Sequence, residues 1–446
     1  MLISNVKKGV LAGKPLVWWQ RMVFYALAVL LPFSIEVSFA AGHMLMLPSE
    51  LLVGIGLALL VWDVLIFRKA WKSFFSKELL WAIPLLLAFM ITTAFSENLV
   101  VSVKSALKQS AYFLVFYVLM SRVLASYPKL FYRLVGLYAL GLFIVFVMAV
   151  YRFGNYNWNI LTVRGLYEPF YNDHTIFGAA AALISAYFLA MRGSRHRVFG
   201  LVFLVAVFFS TSRAAILSMG VFVFFVFAAR SRFRMYLFLA ATFIFLIASG
   251  VYVGSIREKI SSSGRDSAEF GWQSTGRSFT PASALSDVSA MERTNRWVAA
   301  WRMFKERPVT GFGPGTYQFQ YIPYQDPAFV NRLTVLDSAH IPEGSGGTAH
   351  SEYLLIAAEM GVIGLIAFLL ITGRWLLLFK QTLPSTTPGK YIILAVASLS
   401  TYMFHGLFNN FLTTDKFAFL FWSFGALIIA SKHWGKMNNQ EKNQII

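Results

Sequence analysis

Residues 197–230 read RVFGLVFLVAVFFSTSRAAILSMGVFVFFVFAAR: two apolar runs joined at Ser210-Thr211-Ser212-Arg213 and closed at each end by arginine. As one helix, roughly 33 residues would extend about 50 Å at 1.5 Å per residue. Arg197 and Arg230 would then lie on opposite sides of a membrane. As two helices, each run is slightly short for a hydrocarbon core, which needs about 20 residues, but both arginine clusters stay on one side. The second reading is adopted. It leaves Arg213 in a recess below the far surface, facing protein or water, because lipid exposure of a charge is expensive. An interfacial arginine that snorkels would fit the position equally.

The same pattern runs through the chain. Of its 446 residues 57% are hydrophobic, 44 are Phe and 13% are charged, where soluble domains carry about 25% charge. Apolar runs fall near 19–38, 50–67, 79–95, 105–121, 131–150, 173–191, 197–211, 213–229, 235–254, 348–372, 389–409 and 413–431. They lack the dyad alternation of a closed barrel. The fold class is therefore an all-α polytopic membrane protein with about 12 transmembrane helices and a large extracytoplasmic loop containing short amphipathic helices. The domains expected are an N-terminal bundle of about nine helices over 1–254, a loop or lid over 255–347, and about three helices with a tail over 348–446.

The net charge of +19 would suggest nucleic acid in a soluble chain. Here the basic residues gather in short gaps: Lys7, Lys8 and Lys14; Arg68, Lys69 and Lys72; Arg192, Arg195 and Arg197; Arg230, Arg232 and Arg234; Lys432 and Lys436. That is the retention signal of cytoplasmic loops. It predicts cytoplasmic termini and no nucleic-acid partner. There is no Cys, so no disulfide and no thiol nucleophile. The first apolar run shows no convincing cleavage site. The scattered His give no metal spacing, no nucleotide-binding glycine fingerprint occurs, and no cofactor is expected.

Within the loop, 292–305 has helical periodicity. Trp297, Trp301 and Phe304 form an apolar stripe bordered by Arg293 and Arg296. The expectation is a helix lying over the bundle mouth, aromatic side down into protein or headgroups, ended by Pro308. Gly311, Gly313 and Gly315 then make a turn where main chain can approach a ligand, or a hinge for the lid. Residues 346–353 re-enter the membrane and put His350 at the outer interface. Glu359 lies nearly opposite His350 on the helix and should face the bundle interior, as a helix-packing contact or a proton carrier. Arg164 and Glu168 stand in the gap 151–172. Asp173 opens the sixth span, where helix capping alone would place an acid.

These elements, in order, resemble the O-antigen ligase family of lipopolysaccharide ligases, polysaccharide polymerases and protein O-oligosaccharyltransferases. The matching stretches are Thr211-Ser212-Arg213-Ala214-Ala215; Arg296-Trp297; Ala300-Trp301-Arg302-Met303-Phe304-Lys305-Glu306-Arg307-Pro308 through Gly315; Ala349-His350-Ser351-Glu352-Tyr353-Leu354; and Glu359-Met360-Gly361-Val362-Ile363-Gly364. The resemblance is strong over about 205–375; elsewhere it rests on hydropathy and span count. The family often has His-Asn where this chain has His350-Ser351.

The resemblance implies a GT-C-like glycosyltransferase of the bacterial inner membrane, with its active site on the periplasmic face. The implied donor is an undecaprenyl-diphosphate-linked glycan. The implied acceptor is a hydroxyl of lipid A-core or a related molecule, and no metal is needed. Arg213, Arg296 and His350 carry over as the catalytic set, with Arg293 a rival for the loop arginine. Arg164, Asp173, Gly313, Gly315, Tyr353 and Glu359 are candidates for substrate binding or support. A paired-arginine fork suits phosphate oxygens and could stabilise charge growing on the leaving diphosphate. His350 would accept or orient the proton of the attacking hydroxyl, and a single displacement would invert the anomeric carbon. A polymerase and a protein O-oligosaccharyltransferase share the donor chemistry. A lipid-linked glycan transporter is the rival of another class, although such proteins commonly show broken helices and repeated halves.

Overall fold

The computed structural model describes residues 2–38, 44–67, 80–158, 160–228, 288–331, 334–335, 347–381 and 386–434. The run near 235–254 and the Ser- and Gly-rich start of the loop lie outside them. The helices are α1 (Leu2–Leu30), α2 (Ser49–Ile66), α3 (Ile83–Ala94), α4 (Leu99–Phe113), α5 (Met120–Ser126) and α6 (Pro128–Asn155). They continue with α7 (His174–Ala190), α8 (Ser194–Phe209), α9 (Arg213–Ala228), α10 (Val288–Glu306), α11 (Glu352–Gln381), α12 (Thr387–His405) and α13 (Asp415–Trp434). A π turn, Leu114–Leu119, joins α4 to α5.

Among the described residues, five segments are long and apolar enough to cross a membrane: Leu16–Phe33, Ser49–Ile66, Leu99–Ser126, Pro128–Asn155 and Glu352–Gln381. Ile83–Ala94, His174–Ala190 and Arg213–Val226 are shorter apolar helices. The break at 210–212 separates α8 from α9, so the opening stretch does fold as two helices.

One apolar run behaves differently. The helix expected over 19–38 stops at Leu30, passes through a turn containing Pro32, and becomes a strand, β1 (Ile35–Ser38). It pairs antiparallel with β2 (Met44–Leu47), Ile35 opposite Leu47. Proline lacks the N–H that would continue the helix, and Ile35 and Val37 alternate with polar Glu36 and Ser38 as a strand requires. Among the described residues the fold is thus mostly helical with one small hairpin.

The last helix, α13, is buried along nearly its whole length, which explains why it is apolar all round. Phe113, Phe116 and Tyr117 pack against its Phe419 and Trp422, with ring centroids 4.8–5.9 Å apart. Its first residue, Asp415, anchors the hairpin: Ser34 Oγ donates to it at 2.9 Å, and Ser49 Oγ donates as well. Helices α7, α9 and α12 pack together beside this centre, and α8 lies on α7.

The loop has its own small core. Ala299, Ala300 and Met303 of α10 bury against Phe312, Tyr317, Tyr321, Ala349, Leu355 and Ala358. Through it α10 seats on the start of α11.

Candidate active site

Three helix ends come together at the point where residues 347–351 lead into α11. The N-terminus of α7 is capped by Asp173, whose Oδ1 accepts from Thr175 N at 2.7 Å. One turn into α7, Gly178 lies against the 210–212 turn; a Cβ there would stand 2.6 Å from Ser210 Oγ and 3.1 Å from Ser212 Cβ. That close approach puts the start of α9, and Arg213 with it, beside the start of α7. The C-terminus of α12 completes the group. Gly406 O accepts from Glu352 N at 2.8 Å and from Ser351 Oγ at 3.4 Å. Ser351, where the resembled family often has Asn, thus ties the histidine segment to α12.

Two backbones here are strained. Thr211 has φ 54° and His350 φ 49°, the left-handed region that costs a non-glycine residue about 1–3 kcal/mol and is exceptional for β-branched threonine. The strain at His350 is held by its surroundings. Its N–H donates to Thr348 Oγ1 at 3.2 Å, and its carbonyl accepts Trp297 Nε1 at 3.0 Å.

The His350 ring is partly buried. Burial, followed by the charges of Arg293 and Arg296, lowers its pKa to about 4; Asp173 and a hydrogen bond with the Asn409 side chain act in the opposite direction. The ring is therefore neutral near pH 7. Asn409 also reaches His405, its Nδ2 lying 2.9 Å from His405 Nε2. His350, Asn409 and His405 form a polar file, and the charges of Arg293 and Asp173 reach His405 as well.

The two loop arginines differ. Arg296 is buried, its Nε donating to Glu292 at 2.7 Å and its guanidinium 4.2 Å from the Tyr321 ring centroid. Gly347, at φ 84°, lies so close to that guanidinium that a side chain there would collide with it. Arg293 is half-buried, and its charge weighs on His350 more than that of Arg296 does. The helix also turns differently from the expected stripe. Its inward face is Glu292, Asn295, Arg296, Ala299, Ala300 and Met303, whereas Trp301 is 50% exposed. Of the expected aromatic stripe, only Trp297 reaches the His350 segment. A paired charge can be buried when its partners are supplied, and Glu292 and Tyr321 supply them to Arg296.

Glu359 and the glycines form a packing joint. Glu359 Oε1 accepts Tyr317 N at 3.1 Å, and the carboxylate also takes the Gly315 N–H. Phe312 N and Gly313 N donate to Ala358 O at 3.1 Å and Glu359 O at 2.8 Å. Side chains at Gly311 or Gly313 would collide with the Glu359 backbone or with Ser96 and Ser102. The expected hinge is therefore a joint against α3, α4 and α11, because each glycine is used to bring two backbones or a backbone and a helix together. Tyr353 Oη donates to Met403 O at 2.7 Å, another tie to α12. Arg164 falls on the short helix Ile160–Gly165; its side chain lies outside the described residues.

Asn409 and His405 were missed in the sequence. They stand four residues apart at the end of an apolar run, the spacing of one helical turn, which was a usable signal, although the helix itself ends at His405. Among the described residues, no group of three or more His, Asp or Glu could hold a metal ion.

Residues 198–369 match the family model described as O-antigen ligase. This span contains Arg213, Arg293, Arg296 and His350. No curated protein matches the chain.

Proposed function

We propose that this O-antigen ligase-like chain transfers a glycan from undecaprenyl diphosphate to a hydroxyl of lipid A-core. The chemistry would run at the outer face of a bacterial inner membrane, with about twelve crossings and both termini cytoplasmic. The observation that carries the reading is the place of His350, within electrostatic reach of Arg293, Arg296 and Asp173, beside the C-terminus of α12 and the adjoining starts of α7 and α9.

A ring nitrogen of His350 takes the proton of the acceptor hydroxyl as its oxygen attacks the anomeric carbon. The bond from that carbon to the diphosphate breaks, its electron pair stays on the phosphate oxygen, and the configuration inverts. Arg293 and Arg213 offset the charge on the leaving diphosphate. Arg296, fixed by Glu292 and Tyr321, adds a third positive centre one turn from Arg293 and packs against the Gly347 backbone. No metal is required where guanidiniums fill that role.

The test is to supply carrier-linked glycan to the purified protein with each acceptor in turn. Modified lipid A-core is the expected product. Longer carrier-linked chains would make the protein a polymerase, and a glycosylated polypeptide would make it a protein transferase. Movement of the carrier with no new glycosidic bond would reject transfer altogether.

A further inference from the structure

The turn that joins α12 to α13 grips the His350 segment at two points. Asn409 meets the His350 ring through its side-chain amide. Asn410 Oδ1 accepts from Thr348 Oγ1, which in turn accepts the His350 N–H. Both asparagines are buried. We propose that Asn409 is a positioning residue: its amide oxygen takes the N–H of one His350 ring nitrogen and leaves the other as a bare lone pair, while His405 sets the direction of that amide.

The first reason is the matching of donors to acceptors. A side-chain amide has one accepting oxygen and one donating nitrogen, and a neutral imidazole has one nitrogen of each kind. Asn409 Nδ2 lies 2.9 Å from His405 Nε2. With that nitrogen turned to His405, the oxygen is the group left for His350. The hydrogen bond between Asn409 and His350 favours the protonated ring, as a bond donated by the ring to an oxygen does. The reverse amide orientation would donate to His350 instead. The ring proton would then sit on the far nitrogen, which could not take another from a hydroxyl.

The second reason is how little freedom the amide has. Asn409 is 2% exposed and His405 1%. Asn409 N donates to His405 O at 3.1 Å, so the two residues are joined through backbone as well as side chain. The His405 ring packs against Phe411 and Tyr402, with centroids 5.3 and 6.3 Å away. Glu352 holds the rest of the turn: its carboxylate accepts Phe411 N at 3.0 Å, Leu412 N at 3.3 Å and the Tyr402 hydroxyl. Glu352 stands two residues after His350, so one short segment carries both the ring and the anchor of the turn that orients it. The charges that reach the ring are Arg293 and Arg296 from α10 and Asp173 from the start of α7. They set how readily the ring is protonated, whereas the hydrogen bond on one nitrogen sets which nitrogen keeps the proton when the ring is neutral.

The inference rests on the transfer reading only for the use made of the free nitrogen; the tautomer itself is read without any product. The full chain, isotopically labelled at its histidine nitrogens and held in nanodiscs near pH 7, is measured by nitrogen NMR. The His350 signals are those lost in His350→Ala. A single tautomer is expected in the unaltered protein, and a mixture of both in Asn409→Leu, which removes the amide at similar volume. In Asn409→Asp a carboxylate oxygen still takes the ring N–H and adds a negative charge. One tautomer should persist there, and the acid limb of kcat/KM should move upward by about one pH unit or more. Asn409→Leu should lower kcat about tenfold or more with KM unchanged, since a wrong histidine tautomer can cost up to about 10⁴-fold. His405→Phe, which suits the Tyr402 and Phe411 surroundings, should also mix the tautomers, and adding it to Asn409→Leu should slow transfer no further. Both tautomers in the unaltered protein, or one unchanged tautomer in Asn409→Leu, overturns the inference. So does an acid limb that stays in place in Asn409→Asp, which decides the matter should the leucine variant fail to fold. Normal transfer by His350→Ala would remove the catalytic proposal and leave the tautomer assignment standing. Lost transfer in His350→Ala together with an unrestrained ring would do the reverse.

Discussion

His350 binds its proton near pH 4 in the fold, against 6.5 for an ordinary histidine. Because the folded value is the lower one, its contribution to stability is whole above 6.5 and is lost as pH falls toward 4. The same shift keeps the ring able to accept a proton. The acid limb of kcat/KM, which reports the free enzyme, should lie near pH 4. Replacing Arg293 by alanine should move that limb upward, since one of the charges depressing the ring is gone. A limb at 6.5 in the unaltered protein would remove His350 as the base. Arg296→Ala should behave differently. It strands Glu292 in a buried site, and breaking such a pair costs about 3–5 kcal/mol, so thermal stability should fall along with activity. The sequence singles out the histidine and both arginines, but not that Arg296 is buried on Glu292 while Arg293 is half-buried. Arg293 and Arg296 are one turn apart and chemically identical, and what separates them is Glu292 four residues back together with Tyr321 from a distant turn.

At the scale of elements, hydropathy located the helices because apolar length is a direct requirement of a membrane. It failed where a run holds two structures, as at Pro32, and where burial follows pairing rather than apolarity, as on α10. The joint between the glycine turn and α11 was also invisible, because it depends on two segments about fifty residues apart. Gly361 interrupts α11 at φ 59°, and a side chain there would strike the Val309 carbonyl. Val362 N, next to it, donates to Pro308 O at 2.8 Å. Gly361→Ala should therefore destabilise the protein by more than the 1–3 kcal/mol of backbone strain alone. Hydrogen exchange should rise at 308–313 and 358–363 together. Faster exchange on one side only would mean that the two segments are not mechanically joined.

Across the whole molecule, the proposal needs the ends of α7, α9 and α12 on the external side. The charge pattern predicts that side; the structure brings the ends together. The chain has no Cys, so single cysteines can be introduced without background. Cysteines at Thr414 and at Lys305 should react with a membrane-impermeant maleimide in intact cells, and one at Arg195 only after lysis. The reverse pattern would put the site in the cytoplasm and end the periplasmic account. The claim on which the rest depends is that His350 moves the acceptor proton during glycan transfer. Its most direct measurement is single-turnover transfer by the reconstituted protein and by His350→Ala at equal folded concentration. Loss of general base catalysis should slow product formation about 10²–10⁴-fold while the carrier still binds; product formed at the unaltered rate would contradict the account.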